Sequence, residues 1–273
     1  MRILQLSDIH LRADGKLSFH KMNTMEAFRK TVDYLEAMDP QPDLYVLTGD
    51  LADNGNAAAY GVLKTMLARL SKPVFILPGN HDRRELLLEL LPEYCPVQED
   101  ISPYICYTLE QFPVRIIAAE TIDQGKHWGC LTEPVADWLE AKLKEDPLRP
   151  TILFTHHPPF QTGLHIMDEP FGNLERFQEI VKLHKNLRIC CGHIHRAITT
   201  VWNGVPVCSC PPVSMLIELD LSPKGGDTFY LSDPGYLLHD YCAGLVNTHV
   251  CTIPTQADYA GPFPFTYLEG DKK

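Results

Sequence analysis

The sequence lacks the features that mark nucleic-acid-binding, membrane-spanning and secreted proteins. Its 24 Lys and Arg against 35 Asp and Glu give a formal net charge of −11, whereas binding a phosphate backbone requires clustered basic residues. Its apolar runs are far shorter than the roughly 20 residues that cross a bilayer. The chain begins with a strand-like segment rather than with the basic and long apolar regions of a signal peptide. We therefore expect a cytoplasmic protein without a nucleic-acid or membrane partner.

The nine cysteines include no Cys-x-x-Cys pair, so a thiolate zinc ribbon is not expected. Cys190 and Cys191 lie in one apolar, strand-like run, and Cys208 and Cys210 lie in another. We interpret the cysteines as mostly reduced core residues of a cytosolic protein. A disulfide between subunits is the alternative. A chain of 273 residues that is 45% hydrophobic is long enough to form a core without disulfides.

The first two-thirds of the chain alternates between strand-like and helix-like patterns, which predicts an α/β sheet. Met25, Phe28, Val32 and Leu35, for example, recur at the spacing of one helical face. The predicted strands are 2–6, 44–47, 74–77, 104–109, 114–119, 152–155 and 188–191, and the predicted helices are 23–35, 60–70, 83–91, 134–143 and 174–184.

The last third reads as mostly β. Asn203-Gly204 between two strand-like runs is a strong hairpin signal. Further strand-like runs at 216–221, 228–231, 236–241 and 245–253 are separated by Gly225-Gly226 and Pro234-Gly235. The final stretch, which contains Pro262 and Pro264, is expected to be irregular.

Five polar clusters each follow an apolar strand, and ligand sites in open α/β sheets form at the carboxyl ends of strands. Each cluster alone has an ordinary explanation, such as a loop acid, a surface imidazole, a turn or a helix cap. Five clusters at five strand ends instead predict one convergent site. The clusters are Asp8-Ile-His10, Gly49-Asp50, Gly79-Asn-His-Asp82, His156-His157 and Gly192-His-Ile-His195.

The residue types in these clusters indicate metal binding. Imidazole suits zinc, iron, manganese or cobalt, and carboxylate suits harder ions. Seven ligands are too many for one ion with an open position, but they fit two ions that share a carboxylate. Two-metal sites clamp the attacking and leaving oxygens of a phosphoryl displacement, and a bound water loses its proton near neutral pH. The candidate ligands are Asp8, His10, Asp50, Asn80, His156, His193 and His195.

The motif series D-x-H, G-D, G-N-H-D, H and G-H-x-H, over roughly residues 3 to 200, resembles the calcineurin-like metallophosphoesterase superfamily. The G-N-H-D motif and the chain length are similar to the class III cyclic nucleotide phosphodiesterases, a group that includes bacterial glycerophosphodiesterases. The resemblance implies a four-layer αββα sandwich with a small β-rich C-terminal lobe. Residues 1–200 would form the catalytic domain, and residues 201–273 would complete the sheet and form a cap or dimerisation lobe. It also implies a homo-oligomer, either a dimer or a larger assembly.

The resemblance further implies a role for each candidate. Asp50 would bridge the two ions, and His81 would contact phosphate and protonate the leaving alkoxide, with Asn80 beside it in the catalytic group. His157 would support the ligands, and Asp82 would cap the following helix or orient His81. The first metal would be held by Asp8, His10, Asp50 and His195, and the second by Asp50, Asn80, His156 and His193.

Two departures bear on the substrate. Asn54 stands where protein Ser/Thr phosphatases carry the arginine of G-D-x-x-D-R-G, which argues against a phosphoprotein phosphatase. Met215 stands near a position where many members of the group carry histidine, so substrate contacts there would differ.

From the motifs and the resemblance we expect attack by a metal-bound hydroxide on small phosphodiesters, either 3′,5′-cyclic nucleotides or glycerophosphodiesters. A broad-specificity phosphomonoesterase or a nuclease of the same fold is the alternative. A non-enzymatic scaffold predicts broken ligand motifs, and none is broken.

Overall fold

The computed structural model describes residues 1–222 and 228–255. The helices are α1 (Thr24–Glu36), α2 (Ala57–Leu67), α3 (Arg84–Leu90), α4 (Glu133–Glu145) and α5 (Leu174–Val181). The strands are β1 (Arg2–Leu6), β2 (Leu44–Thr48), β3 (Val74–Leu77), β4 (Tyr107–Leu109), β5 (Arg115–Ala118), β6 (Thr151–Phe154), β7 (Leu187–Cys191), β8 (Ile198–Trp202), β9 (Val205–Ser209), β10 (Leu216–Ile217), β11 (Phe229–Tyr230), β12 (Gly235–Cys242) and β13 (Leu245–Thr252).

The strands form two large sheets and one small one. The first has the order β13-β12-β1-β2-β3, and the second has the order β4-β5-β6-β7-β9-β8. In the first sheet β1, β2 and β3 run parallel, and in the second β5, β6, β7 and β9 do so. In the part of the chain that the structure describes, the third sheet pairs β10 with β11 antiparallel.

The side chains of the second sheet alternate between two cores, as the two-residue period of a strand requires. Ile116, Ile152 and Cys190 face the first sheet and share its core. Ile117, Leu153 and Ile189 face away and pack with α4 and α5. The first sheet is covered on its outer face by α1 and α2, which pack on it through residues such as Phe28 and Tyr60. The result is the four-layer αββα arrangement that the sequence predicted, and that prediction is confirmed.

Some predicted elements are shorter in the structure. The strand predicted over 216–221 ends at Ile217, because Asp220 accepts a hydrogen bond from the backbone of Ser222 and turns the chain. The strand predicted from residue 104 begins at Tyr107, since the backbone N–H of Ile105 binds the Glu120 carboxylate instead of a neighbouring strand. The Gly225-Gly226 turn and the proline-containing tail lie outside the described residues.

The C-terminal third contributes to all three sheets. β8 and β9 extend the second sheet, β10 and β11 form the third, and β12 and β13 extend the first. The division into a domain over 1–200 and a segment over 201–273 stays a prediction. Across the described part of the chain, none of the helices combines the length and apolarity needed to cross a bilayer.

Candidate metal centre at the strand ends

Parallel strands end at a common edge, and the loops that follow them are joined by backbone hydrogen bonds. The N–H groups of Asp8 and His10 donate to the carbonyls of Gly49 and Asp50, at 3.1 and 2.9 Å. Gly192 N–H donates in the same way to a carbonyl of the loop after β6, that of His156, at 2.9 Å. Two further contacts connect these loops: the N–H of His193 donates to Asp8 Oδ1 at 3.0 Å, and the N–H of His81, beside Asn80, donates to Asp50 Oδ1 at 2.9 Å. Together the contacts bring all seven predicted ligands into one region. We call these seven side chains the strand-end centre: Asp8, His10, Asp50, Asn80, His156, His193 and His195.

Five residues of the strand-end centre have a left-handed backbone, which non-glycine residues seldom adopt. Such conformations cost about 1–3 kcal/mol each and persist where the surrounding structure holds them, often at functional sites. The loops therefore point side chains inward at a cost in stability. The five φ angles are 54° at Asp8, 48° at His10, 50° at Asp50, 69° at His193 and 51° at His195.

The glycines of the motifs leave room for the centre. A Cβ on Gly79 would lie 2.2 Å from Asp50 Oδ1, and one on Gly192 would lie 1.8 Å from Ser7 Oγ. Both distances are below any real contact with a Cβ. The glycine requirement therefore comes from close packing around the carboxylates.

One group of donor atoms forms around Asp8, His10, Asp50 and His195, whose ligand atoms all lie within 4.8 Å of one another. His195 Nδ1–H donates to the carbonyl of Met215 at 2.8 Å, so its Nε2 carries a free lone pair. That atom lies 3.0 Å from His10 Nε2, and His10 Nε2 lies 3.5 Å from Asp50 Oδ2. These atoms face one another in a buried space.

A second group forms on the other side of Asp50. His156 Nδ1–H donates to the carbonyl of Thr48 at 2.7 Å, which leaves Nε2 facing the site. That Nε2 lies 3.4 Å from Asp50 Oδ2 and 3.0 Å from Asn80 Oδ1. His193 Nδ1 lies 3.0 Å from the same Asn80 oxygen. Asp50 Oδ2 is therefore within 3.5 Å of a ring nitrogen from each group.

The donor set fits metal cations. Asp8 and His156 are fully buried, and Asp50 is 2% exposed, so two carboxylates lie in a space where an uncompensated charge is costly. Burial raises the pKa of Asp8 to about 6. Burial lowers the pKa of His156, but the Asp50 carboxylate outweighs it and raises that pKa to about 9. Cations bound among these oxygens and imidazoles would displace the proton from His156 and supply the positive charge that the two carboxylates require.

Two neighbouring residues support the centre from outside it. Both ring nitrogens of His157 are engaged, at 3.0 Å from Thr121 Oγ1 and 3.1 Å from the His127 carbonyl. His157 thus has a supporting position. Asp82 accepts from Gly79 N–H and from Tyr60 O–H, as well as from two N–H groups of the loop after β2. The predicted capping role of Asp82 is wrong, since α3 has no side-chain cap and Asp82 joins two loops instead. Its predicted role in orienting His81 stays a prediction.

His81 faces the cavity above the centre. Its Nδ1–H donates to the carbonyl of Asp53 at 2.9 Å, which leaves Nε2 as the nitrogen available to a ligand. Its backbone N–H donates to Asp50 Oδ1 at 2.9 Å. A second imidazole, His127, also lines the cavity, and its Nδ1 lies 2.6 Å from Glu169 Oε2. His127 lies in a loop with no motif around it, so no local pattern in the sequence marks it as a site residue.

The cavity has a volume of about 330 Å³. Its floor is formed by members of the strand-end centre with His81 and His127. The rest of the lining includes Phe19 from the loop after β1, Ile166 and Met167 from the loop after β6, and Met215 from the loop after β9. We call the apolar part of the lining the apolar wall: Phe19, Ile166, Met167, Met215, Ile217 and Phe229.

Comparison with known proteins identifies the family. Residues 1–197 match the calcineurin-like phosphoesterase family. The chain belongs to this family. Calcineurin-like phosphoesterases are dinuclear metal-dependent enzymes, and the strand-end centre is a candidate metal site of that kind. The resemblance and the enzyme class predicted from the sequence, a metal-dependent phosphoric diester hydrolase, are confirmed.

Three named phosphodiesterases are similar to this chain over three-quarters or more of its length. A probable glycerophosphodiester phosphodiesterase of Arcobacter nitrofigilis is 33% identical, over 99% of each chain. A probable cyclic nucleotide phosphodiesterase of Rhodopseudomonas palustris is 31% identical, over 96% of this chain and 94% of that protein. A cyclic AMP phosphodiesterase of Escherichia coli K12 is 30% identical, over 75% of this chain and 73% of its own length.

Solved structures show the same fold at lower sequence identity. A purple acid phosphatase from yellow lupin superposes with a TM-score of 0.63 at 16% identity, over 93% of this chain and 51% of that one. GAP50 of Plasmodium, an anchor in the inner membrane complex, superposes with a TM-score of 0.61 at 14% identity, over 94% of this chain and 90% of that one.

Proposed function

We propose that this protein hydrolyses small phosphodiesters with two metal ions held in the strand-end centre. The observation that carries the proposal is the position of Asp50, whose Oδ2 lies within 3.5 Å of a ring nitrogen on either side. A carboxylate between two donor groups suits a bridging ligand. The first ion is assigned to Asp8, His10, Asp50 and His195, and the second to Asp50, Asn80, His156 and His193.

The metals are iron, manganese, zinc or cobalt, in divalent or trivalent form. Five of the ligands supply oxygen or nitrogen from neutral side chains, and two supply carboxylate, a mixture that suits these ions better than calcium or magnesium. When bound, two such ions supply Lewis acidity at phosphorus and the nucleophile of a displacement. Metal analysis of the purified protein identifies the pair.

The chain's own residues account for the remaining chemistry. The hydrogen bond from His81 Nδ1–H to the Asp53 carbonyl fixes the orientation of the ring. Its Nε2 is then the nitrogen that contacts the leaving group of a substrate in the cavity. A proton on that Nε2 passes to the departing alkoxide, a step that contributes about 10²–10⁴-fold in general acid catalysis. Asn80 presents its amide to the same region, since its Oδ1 lies between His156 and His193.

The substrate class follows from the relatives and from the size of the site. Relatives that match nearly the whole chain are named for glycerophosphodiesters and cyclic nucleotides. A cavity of about 330 Å³ is at the small end of the usual range for ligand pockets, and it suits a small diester rather than a polymer. We assign both diester classes to this protein as candidates.

We also place the protein in the cytoplasm as a homo-oligomer. Its nine cysteines are unpaired, as expected in a reducing compartment. β13 is the outer strand of the first sheet, and its Leu245 and Val250 are 66% and 60% exposed. An exposed apolar edge strand suits pairing with another copy. Native mass spectrometry measures the assembly, and a monomer at micromolar concentration would contradict it.

Hydrolysis assays test the activity directly. The metal-reconstituted protein should hydrolyse bis(p-nitrophenyl) phosphate much faster than p-nitrophenyl phosphate, because the site is proposed to act on diesters. A panel of cyclic AMP, glycerophosphocholine and glycerophosphoethanolamine then ranks the natural classes. Faster hydrolysis of the monoester would favour a phosphomonoesterase, and no turnover with any of the four metals would refute the proposal.

A further inference from the structure

His127 lines the cavity beside the residues that are assigned to the chemistry. Its ring centroid lies 5.0 Å from that of His193, a proposed ligand of the second ion, and 6.3 Å from that of His81. His127 itself is neither a proposed metal ligand nor the proposed proton donor. A substrate bound at the strand-end centre would therefore have this additional imidazole close to its phosphoryl group.

The position of His127 is set by the pairing of two loops. Cys130 and Gly172 form a parallel bridge, and Gly172 N–H donates to the Gly129 carbonyl at 2.8 Å. His127 and Glu169 each lie three residues before a member of this bridge. Because the bridge is parallel, equal offsets along the two loops bring these two side chains together.

Glu169 decides which ring nitrogen of His127 is available to a ligand. His127 Nδ1–H donates to Glu169 Oε2 at 2.6 Å, so Nε2 remains. The backbone of His127 is held as well, since its carbonyl lies 3.1 Å from Nε2 of the buried His157. The His127 side chain is 46% exposed and that of Glu169 is 32% exposed, so a ligand entering from solvent can reach the pair.

A polar substrate needs polar partners in this cavity, because a hydroxyl that leaves water without one loses free energy. Among the described residues, the polar lining outside the strand-end centre consists of His81, His127 and Thr228. The Thr228 hydroxyl donates to Glu218, and His81 is assigned to the leaving group. His127 is then the polar side chain that remains for the alcohol part of a diester.

We infer that His127, oriented by Glu169, binds a hydroxyl group on the carbon next to the ester carbon of the substrate. The inference rests on the proposed phosphodiesterase function and deepens it. The two candidate substrate classes share this hydroxyl: the 2′-hydroxyl of a cyclic nucleotide is next to the esterified C3′, and the C2 hydroxyl of a glycerophosphodiester is next to the esterified C3. Its closeness to the phosphoryl group matches the closeness of His127 to His81 and His193.

A hydroxyl fits Nε2 better than the other polar groups of these substrates do. A hydroxyl can both donate and accept a hydrogen bond, so it pairs with Nε2 whether or not that nitrogen carries a proton. An ammonium group can only donate, and a phosphoryl oxygen can only accept. His127 is therefore assigned to substrate specificity.

Pairs of substrates that differ by this one hydroxyl test the inference. The manganese-reconstituted enzyme would be assayed with cyclic AMP against 2′-deoxy cyclic AMP. Glycerophosphoethanolamine would be compared with 3-hydroxypropyl phosphoethanolamine, which lacks the C2 hydroxyl. For whichever class is hydrolysed, kcat/KM should be about two- to tenfold higher for the member with the hydroxyl, the effect expected of one hydrogen bond.

Matched variants place the effect on His127. In His127→Phe, which keeps a ring but loses both nitrogens, the ratio of the two kcat/KM values should fall to about one. His127→Gln keeps a polar group near the position of Nε2 and should retain part of the preference, and Glu169→Ala should weaken it by freeing the ring. His165→Phe is the control, because His165 is an exposed imidazole in the same loop as Glu169 and does not line the cavity. Its ratio should equal that of the wild type.

Metal analysis separates substrate binding from metal binding. Donor atoms of His127, Glu169 and His193 lie within 4.8 Å of one another, so the same side chains offer a possible position for an ion. If His127 binds substrate, His127→Phe should retain as much metal as the wild type. Loss of an ion from this variant would overturn the inference and reassign His127 as a ligand.

The outcomes also separate this inference from the function on which it rests. Turnover of bis(p-nitrophenyl) phosphate, combined with equal kcat/KM values within the hydrolysed pair, would overturn the hydroxyl subsite alone. So would an unaltered preference in His127→Phe, or hydrolysis of bis(p-nitrophenyl) phosphate with neither natural class hydrolysed. No turnover of any diester with any of the four metals would overturn the proposed function and this inference together.

Discussion

The strand-end centre and the apolar wall face each other across one cavity, but they are held differently. Asp8 and His156 in the centre are fully buried, whereas Phe19 in the wall is 58% exposed. The centre is fixed by backbone hydrogen bonds between loops that follow parallel strands. The wall depends on a two-stranded sheet and on loops. The residues assigned to the chemistry are therefore held by hydrogen bonds in a buried space, whereas the wall includes side chains that reach solvent.

The difference has a physical origin in the groups themselves. Charged donors must be fixed because a buried carboxylate without partners is unstable, and a metal site needs its ligands within a few tenths of an ångström. Apolar contact is non-directional and roughly proportional to area. Substitution of a single wall residue is therefore expected to reduce activity less than substitution of a single metal ligand.

Removal of the shared carboxylate should have the largest effect. Asp50→Ala is expected to lose both metal ions and to reduce turnover by at least about 10⁴-fold, since both donor groups meet at this side chain. Metal content measured by mass spectrometry, together with diesterase activity, checks this. Asp137→Ala, at a carboxylate that is 72% exposed on α4, is the matched control. Retention of two ions by Asp50→Ala would refute the bridging role.

His81→Ala should be the next most severe change. We expect kcat to fall by about 10²–10⁴-fold while most of the metal remains bound, because His81 is assigned to the leaving group and not to an ion. Activated substrates with good leaving groups should be affected less. His249→Ala, at an exposed imidazole on β13, should leave activity unchanged. A parallel loss of metal would reassign His81 as a ligand.

Crowding the centre without removing a ligand should have an intermediate effect. Gly192→Ala puts a methyl group 1.8 Å from Ser7 Oγ, and displaced supporting groups cost about 10–100-fold in metal affinity. Gly61→Ala is the control, because nothing lies within 4 Å of the added methyl on α2. That change should stabilise the protein by about 0.5–1 kcal/mol. Equal behaviour of the two variants in thermal unfolding and metal titration would contradict the tight packing.

A change in the wall should have the smallest effect. Phe19→Ala is expected to leave metal content and unfolding temperature as they are, and to raise KM for bis(p-nitrophenyl) phosphate by about two- to fivefold through lost apolar contact. Leu17→Ala is the control, since Leu17 is 43% exposed and does not line the cavity. A loss of metal from Phe19→Ala would show that the wall and the centre are not independent.

Much of the fold and of the centre was predictable from local patterns. Apolar runs ending in Asp8-Ile-His10 or Gly49-Asp50 combine a strand signal with ligand residues at its carboxyl end. Because parallel strands share an edge, convergence followed from the predicted topology. The length of β10 was not predictable, since it depends on the turn that Asp220 and Ser222 make. The role of Asp82 was missed because its partners lie in another loop and on α2.

The sequence by itself determined which chemical groups are present and at which strand ends they lie, because strand period and motif are both local properties. Only the tertiary structure decided that Asp50 lies between two groups of ring nitrogens and that His127 enters the cavity. It alone assembled the apolar wall. Phe19, Ile166, Met215 and Phe229 come from four separate segments, and no local pattern relates them. Their common surface exists only because the two sheets and the third small sheet bring those segments to one cavity.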